Sequence, residues 1–274
     1  MEVTAAMVKE LREKTGAGMM DCKKALDEAK GDMNGAVDCL RKSGAAKAEK
    51  KAATRTAKEG LIFSCIDGKV GALVEVLCET DFVAKNDRFN AYGNELAKRV
   101  AAMAGRDGDL AADVIAVEKT NIIDLINAIG EKIEIRRVLR WEAQDERQVV
   151  FYNHHLKSKI VVMIEMAGEG AKGNDICMHI AAYSPQYIIP SDVPADVIAR
   201  EKDIAAAQVV GKPANMVEKI VEGKIAKWYG DVCLLKMPWI LDDKTCLEKL
   251  APKLTVRRML RWTVGEGVVA IVAD

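Results

Sequence analysis

The sequence lacks the marks of several large protein classes. It has no excess of one charge, since lysine plus arginine and aspartate plus glutamate each number 41 in 274 residues. A chain that coats nucleic acid needs a strong basic field to displace counterions, so the balance argues against that role. Aromatic residues make up only 5%, too few for a base-stacking platform. No apolar run is long enough to span a bilayer, and the start shows no signal-peptide pattern, so a cytoplasmic protein away from membranes is expected. The seven cysteines are odd in number, widely spaced and without a C-x-x-C pair. Buried free thiols are therefore expected in place of a disulfide framework. Histidines are scarce: His154, His155 and His179. Neighbours on a strand point to opposite faces, so His154 and His155 would not readily share a metal. There is no G-x-x-x-x-G-K-[ST] phosphate loop, no G-x-S-x-G and no histidine pair at helical spacing. Cys78 is a poor nucleophile, because neighbouring Glu79 and Asp81 raise a thiol's pKa.

What is present is half apolar, too rich for disorder and long enough for more than one domain. Residues 1–43 read as a module of three short helices. Val3, Met7, Val8 and Leu11 recur at helical spacing behind Thr4, a plausible N-cap. Gly16 and Gly18 break the pattern, and Met19, Cys22, Ala25 and Leu26 form a second stripe. Met33, Ala36, Val37 and Leu40 form a third behind Asp32. Residues 44–58 read as a basic, solvated linker with some helical tendency, either a charged hinge or a segment that docks on an acidic partner surface. From Arg41 to Lys58 there are seven basic residues and one acidic residue, with no apolar stripe.

The core reads as two small α+β units with antiparallel sheets, 59–141 and 142–274. Asp67-Gly68 between two β-prone runs signals a hairpin, followed by helices over 89–103 and 114–129 and a strand over 133–141. Strands over 149–152 and 160–166 and a helix over 175–183 repeat the order. The string Ile135-Arg-Arg-Val-Leu-Arg-Trp141 then returns as Val256-Arg-Arg-Met-Leu-Arg-Trp262, which points to an internal duplication with the two units side by side. An insertion at about 191–229 reads as an antiparallel helical hairpin, a coiled coil broken at Gly211-Lys212-Pro213.

One string stands out: Glu75-Val-Leu-Cys-Glu-Thr-Asp-Phe-Val-Ala84. Phe82 sits among polar residues where the strand should turn into a helix. Either Thr80 or Asp81 caps that helix and Phe82 folds back onto the core, or Phe82 is an exposed anchor on a rigid turn.

The segment from Leu11 to Leu26, with Arg12, Met19 and Met20, closely resembles the N-terminal signature of bacterial elongation factor Ts. Glu75 to Ala84, with Thr80-Asp81-Phe82-Val83, resembles that family's second signature, and the likeness runs through Ala128-Ile129-Gly130-Glu131 and Met178–Ala182 to Gly265-Glu266-Gly267. The resemblance implies a UBA-like N-terminal module, a two-part core and a coiled-coil arm. It implies a guanine-nucleotide exchange factor for the GTPase elongation factor Tu, acting by protein binding, with no cofactor, metal or nucleic acid of its own. By similarity, Leu11, Arg12, Met19 and Met20 grip the partner's GTPase domain. The turn Thr80, Asp81, Phe82 and Val83 dislodges the partner's Mg²⁺. Ile129 and Gly130 press toward its phosphate site, and the second core unit meets another partner domain. His154 is the better match to a family histidine, although the turn Tyr152–Ser158 is longer than the family's and has no glycine. A module that holds the GTPase without promoting exchange would have no need of a wedge at Phe82.

Overall fold

The computed structural model describes residues 3–154, 159–209 and 214–267. His155 with the rest of the 155–158 turn, and the Gly211-Lys212-Pro213 break, lie outside the described residues.

Three helices open the chain: α1 (Ala5–Thr15), α2 (Met19–Glu28) and α3 (Met33–Thr54). The Thr4 hydroxyl accepts from the Met7 N–H, and the Asp32 carboxylate accepts from the Gly35 N–H, so both expected caps form. Gly16 ends α1 in the left-handed region at φ 72°. Leu11, Cys22, Leu26 and Ala36 close the small core of the module. The basic stretch 44–58 differs from the expected linker, because α3 continues through it to Thr54. Its contact face consists of small residues, which carry no conventional hydrophobic signal. A Cβ on Gly44 would collide with the Asn127 amide, and Ala48 is buried in the main core. Small side chains allow α3 to lie close against the helix that holds Asn127.

The first half of the core is a four-stranded antiparallel sheet. Strands β1 (Glu59–Asp67) and β2 (Val70–Cys78) form a hairpin whose loop is Gly68-Lys69, one residue later than the sequence signal. A short turn α4 (Asp81–Ala84) leads into α5 (Asp87–Ala101). Strand β3 (Gly108–Asp109), α6 (Ala111–Ile129) and β4 (Ile133–Glu142) follow. The strand order is β1-β2-β4-β3. The second half pairs β5 (Gln148–Asn153), β6 (Ile160–Ala167) and a last strand (Thr255–Thr263) in the order first, second, last, with α7 (Gly173–Tyr183) against them. Helices α8 (Ala195–Ala207) and α9 (Ala214–Val232) form the inserted arm. The start of α8 packs on the end of α9 through Val197, Ile198, Trp228 and Val232, as an antiparallel pair requires. Strands β7 (Pro238–Trp239) and β8 (Asp242–Cys246) and a turn α10 (Leu247–Leu250) complete the described chain before the last strand, β9. The fold is mixed α+β.

The two halves pack against each other with their sheets face to face. Ile62, Leu73, Trp141, Val149, Val161, Met163 and Trp262 form one cluster between them. Alternate residues of β2 and β6 face the helices instead: Ala72, Val74 and Val76 in one half, and Val162, Ile164 and Met166 in the other. Strands that are apolar on both faces must be covered on both. Gly71 marks the close approach, since a Cβ there would collide with the Val149 side chain. The result is four layers: helices, sheet, sheet and helix.

Candidate partner-binding surface

The local sequence dictates the shape of the Phe82 turn. Apolar β2 ends at Cys78, and the Thr80 hydroxyl accepts from the Val83 N–H to start α4. Val83 and Ala84 pack inward with the main core. Phe82 points the other way and is 79% exposed. Thr80 therefore caps the turn as expected, but Phe82 does not fold back onto the core. Asp81 pairs with Lys85 at 2.7 Å, and that ammonium holds its carboxyl below the usual range. The Lys85 ammonium also lies 5.9 Å from the Phe82 ring centre.

The turn after α6 lies beside it. Gly130 ends α6 at φ 93°, a left-handed value that favours glycine. Glu131 accepts from the Thr80 N–H at 3.0 Å and from its hydroxyl at 2.7 Å. In return, Glu79 accepts from the Lys132 N–H. The last turns of α3 reach the same place. Lys51 donates to the Gly130 carbonyl at 2.6 Å, and Arg55 pairs with Glu79 at 3.1 Å. Burial, with Arg55 nearby, lowers the Lys51 pKa. Higher up, Lys47 pairs with Asp21 at 2.6 Å.

These ties bring most of the expected residues to one face. Arg12, Gly16, Phe82, Val83, Arg88 and Ile129 line one open cleft, and Arg12, Met19, Ile129 and Gly130 line the hollow beside it. Met20 is exposed next to Met19. Leu11 is different, because it is wholly buried in the module core and offers no surface to a partner. His154 is also apart, at the end of β5 in the other sheet, where its Nδ1 lies 3.3 Å from the Tyr152 hydroxyl. Glu79, Glu131, Lys51 and Arg55 received no role from the sequence, because their partners are distant along the chain and charged residues in turns carry no pairing signal.

The site offers little to covalent chemistry. Burial, reinforced by Glu131, pushes the Cys78 thiol up to about 12, so it is not a thiolate at neutral pH. No group of three or more metal-ligating side chains comes together among the described residues. No helix is long and apolar enough to cross a membrane among the described residues.

The sequence pattern of the family described as Elongation factor TS matches residues 79–266. The elongation factor Ts of Methylococcus capsulatus is 46% identical, over 98% of this chain and 94% of the relative. That of Thioalkalivibrio sulfidiphilus is 44% identical, over 98% of this chain and 94% of the relative. That of Protochlamydia amoebophila is 42% identical, over 96% of this chain and 99% of the relative. The chain belongs to the elongation factor Ts family. Elongation factor Ts is the nucleotide exchange factor for elongation factor Tu, and it is not an enzyme. The Thr80–Val83 turn, Gly130 and His154 all fall inside the matched region, and the helical module enters through the full-length relatives.

Proposed function

We propose that the chain promotes GDP release from elongation factor Tu by inserting Phe82 where it disturbs the partner's Mg²⁺ and phosphate site. The observation that carries this reading is an aromatic ring, 79% exposed, on a capped turn beside Ile129 and Gly130. An exposed ring held by a rigid backbone loses little entropy on insertion, and burying a phenylalanine is worth about 1.5–3 kcal/mol. Mg²⁺ offsets phosphate charge, so displacing it removes a large part of the nucleotide's hold. Linkage makes the effect mutual: a factor that weakens nucleotide binding is itself released when nucleotide rebinds. No acid, base or nucleophile is required.

In this reading Thr80 and Val83 shape the turn, and Asp81 stands beside the ring. Arg12, Met19 and Met20 grip the GTPase domain, with Leu11 supporting them from the module core. Ile129 and Gly130 approach the phosphate region. The second half, with His154, meets another domain of the partner. The partner is elongation factor Tu in its GDP-bound and nucleotide-free forms, in the cytoplasm, without direct nucleic-acid or membrane contact. The chain divides into a UBA-like module, two halves related by duplication (59–141 and 142–274) and a coiled-coil arm.

The test is Phe82→Ala. The variant should fold normally but release a fluorescent GDP from elongation factor Tu more slowly, and an unchanged release rate sinks the wedge. The wild-type complex, isolated without nucleotide, should dissociate on adding GDP with Mg²⁺.

A further inference from the structure

We infer that Glu131, with Glu79 as its counterpart, is the positioning residue that holds the Phe82 turn and the Ile129–Gly130 turn as one two-pronged unit. This rests on the wedge reading above. Thr80 and Glu131 are 51 residues apart in sequence, and the tie between their turns is reciprocal. The Glu131 carboxylate accepts both donors of Thr80, and the Glu79 carboxylate accepts the backbone donor of Lys132. Each turn thus satisfies the other's backbone. The Thr80 hydroxyl held by Glu131 is the same group that caps α4, taking the Val83 N–H at 3.4 Å. Glu131 therefore fixes the first residue of the helical turn that carries Phe82. Helix α3 braces the joint, through Lys51 on the Gly130 carbonyl and through the Lys132 ammonium on the Arg55 carbonyl at 3.0 Å.

The consequence separates grip from displacement. Arg12, Met19 and Met20 belong to α1 and α2, outside the two turns that Glu131 ties together. A loosened joint leaves them able to hold the partner, but the ring must then be ordered as the nucleotide is displaced. An interaction realised only in the nucleotide-displacing state changes the maximal rate and leaves the half-saturating concentration alone.

The experiment is release of fluorescent GDP from elongation factor Tu over a range of chain concentrations. It compares the wild type with Glu131→Ala, Glu131→Gln, Phe82→Ala and the double variant Phe82→Ala/Glu131→Ala. Losing a charge-assisted hydrogen bond should make Glu131→Ala about tenfold slower at saturation. Its half-saturating concentration should stay within about threefold. Glutamine has the same length, with an oxygen for the Thr80 N–H and an amide for its hydroxyl, so Glu131→Gln should return to within about twofold of wild type. The double variant should be no slower than Phe82→Ala alone. If Glu131→Ala does not fold, Glu131→Asp, one methylene too short, takes its place. A normal rate for the shortened variant beside a slow Phe82→Ala overturns the positioning role and leaves the wedge standing. Additive slowing in the double variant also overturns it, because Glu131 would then act elsewhere. A normal rate for Phe82→Ala overturns the wedge and this inference together.

Discussion

The two halves of the core share one frame and differ in what they hang on it. Glu75 and Glu165 are both fully buried, and each sits where its sheet slips register by one residue. Arg137 meets Glu75 at 2.5 Å, and Arg258 meets Glu165 at 2.5 Å. Each arginine then stacks on the tryptophan of the other half. Arg137 lies 4.4 Å from the Trp262 ring centre, and Arg258 lies 4.7 Å from that of Trp141. Arg140 and Arg261 each donate to a carbonyl near the end of their half's helix, Ala101 or Ala181. The repeated string is thus a pair of crossed clamps. The halves part company after their second strands. In the first half that strand runs into the turn that exposes Phe82, and in the second it runs through Gly168-Glu169-Gly170 into α7. A shared frame carrying an unlike turn is how function is grafted onto a fold.

The largest effect should come from breaking the frame. Removing one partner of a buried ion pair costs about 3–5 kcal/mol when the other charge is left buried and unpaired, and the low end of that range applies here, because Arg258 keeps Asp107 at 2.8 Å and Arg137 keeps the Thr263 carbonyl. Glu75→Ala and Glu165→Ala should each lose that much stability in urea unfolding. A cost at Glu165 far below that at Glu75 would show that the clamps are not equivalent. Glu75 is the better test of the joint, since it also accepts the Gly265 N–H at 2.9 Å from the other half.

A smaller effect concerns the helices. Two residues before the Ala101 carbonyl stands Arg99, paired with Glu118 at 2.8 Å. Two residues before the Ala181 carbonyl stands His179, fully buried between Tyr183 and Trp239, with no hydrogen-bond partner on either ring nitrogen among the described residues. Burial pushes its pKa down to about 4. Between that value and its ordinary one near 6.5 the unfolded chain binds more protons, so stability is full above pH 6.5 and falls toward pH 4. The loss amounts to about 3 kcal/mol at the acid end. His179→Leu should flatten the melting temperature against pH in that window, and an unchanged slope would show that another group is responsible. The smallest effect belongs to Phe82. Its ring is almost free of the fold, so Phe82→Ala should change unfolding stability by less than about 0.5 kcal/mol.

Local signals made much of this legible in the sequence. Caps at Thr4 and Asp32, the glycine break after α1, the hairpin and the repeated Arg-Arg-x-Leu-Arg-Trp string were all readable, because each depends on neighbours along the chain. The face-to-face stacking was less so. Near-continuous apolar runs in β2 and β6 say that both faces are covered, but not by what. The Phe82 turn was half legible: the cap could be read, but the direction of the ring depends on Val83 and Ala84 taking the inward places. The joint at Glu131 was not legible, since hydrogen bonds across long sequence separations leave no periodicity. The basic stretch misled because its contact face is glycine and alanine.

That stretch has a further consequence for how such chains can vary. A flexible tether tolerates insertions and deletions, and a continuous helix does not. Each residue of a helix adds about 100° of rotation and about 1.5 Å of rise. One residue inserted between Lys47 and Lys51 would swing the module around the axis of α3, carrying Arg12 and Met19 away from Phe82 while every side chain stayed the same. The solvent-facing residues of this segment are free to drift, but its small contact residues Gly44 and Ala48 are fixed by packing and its length is fixed by phase.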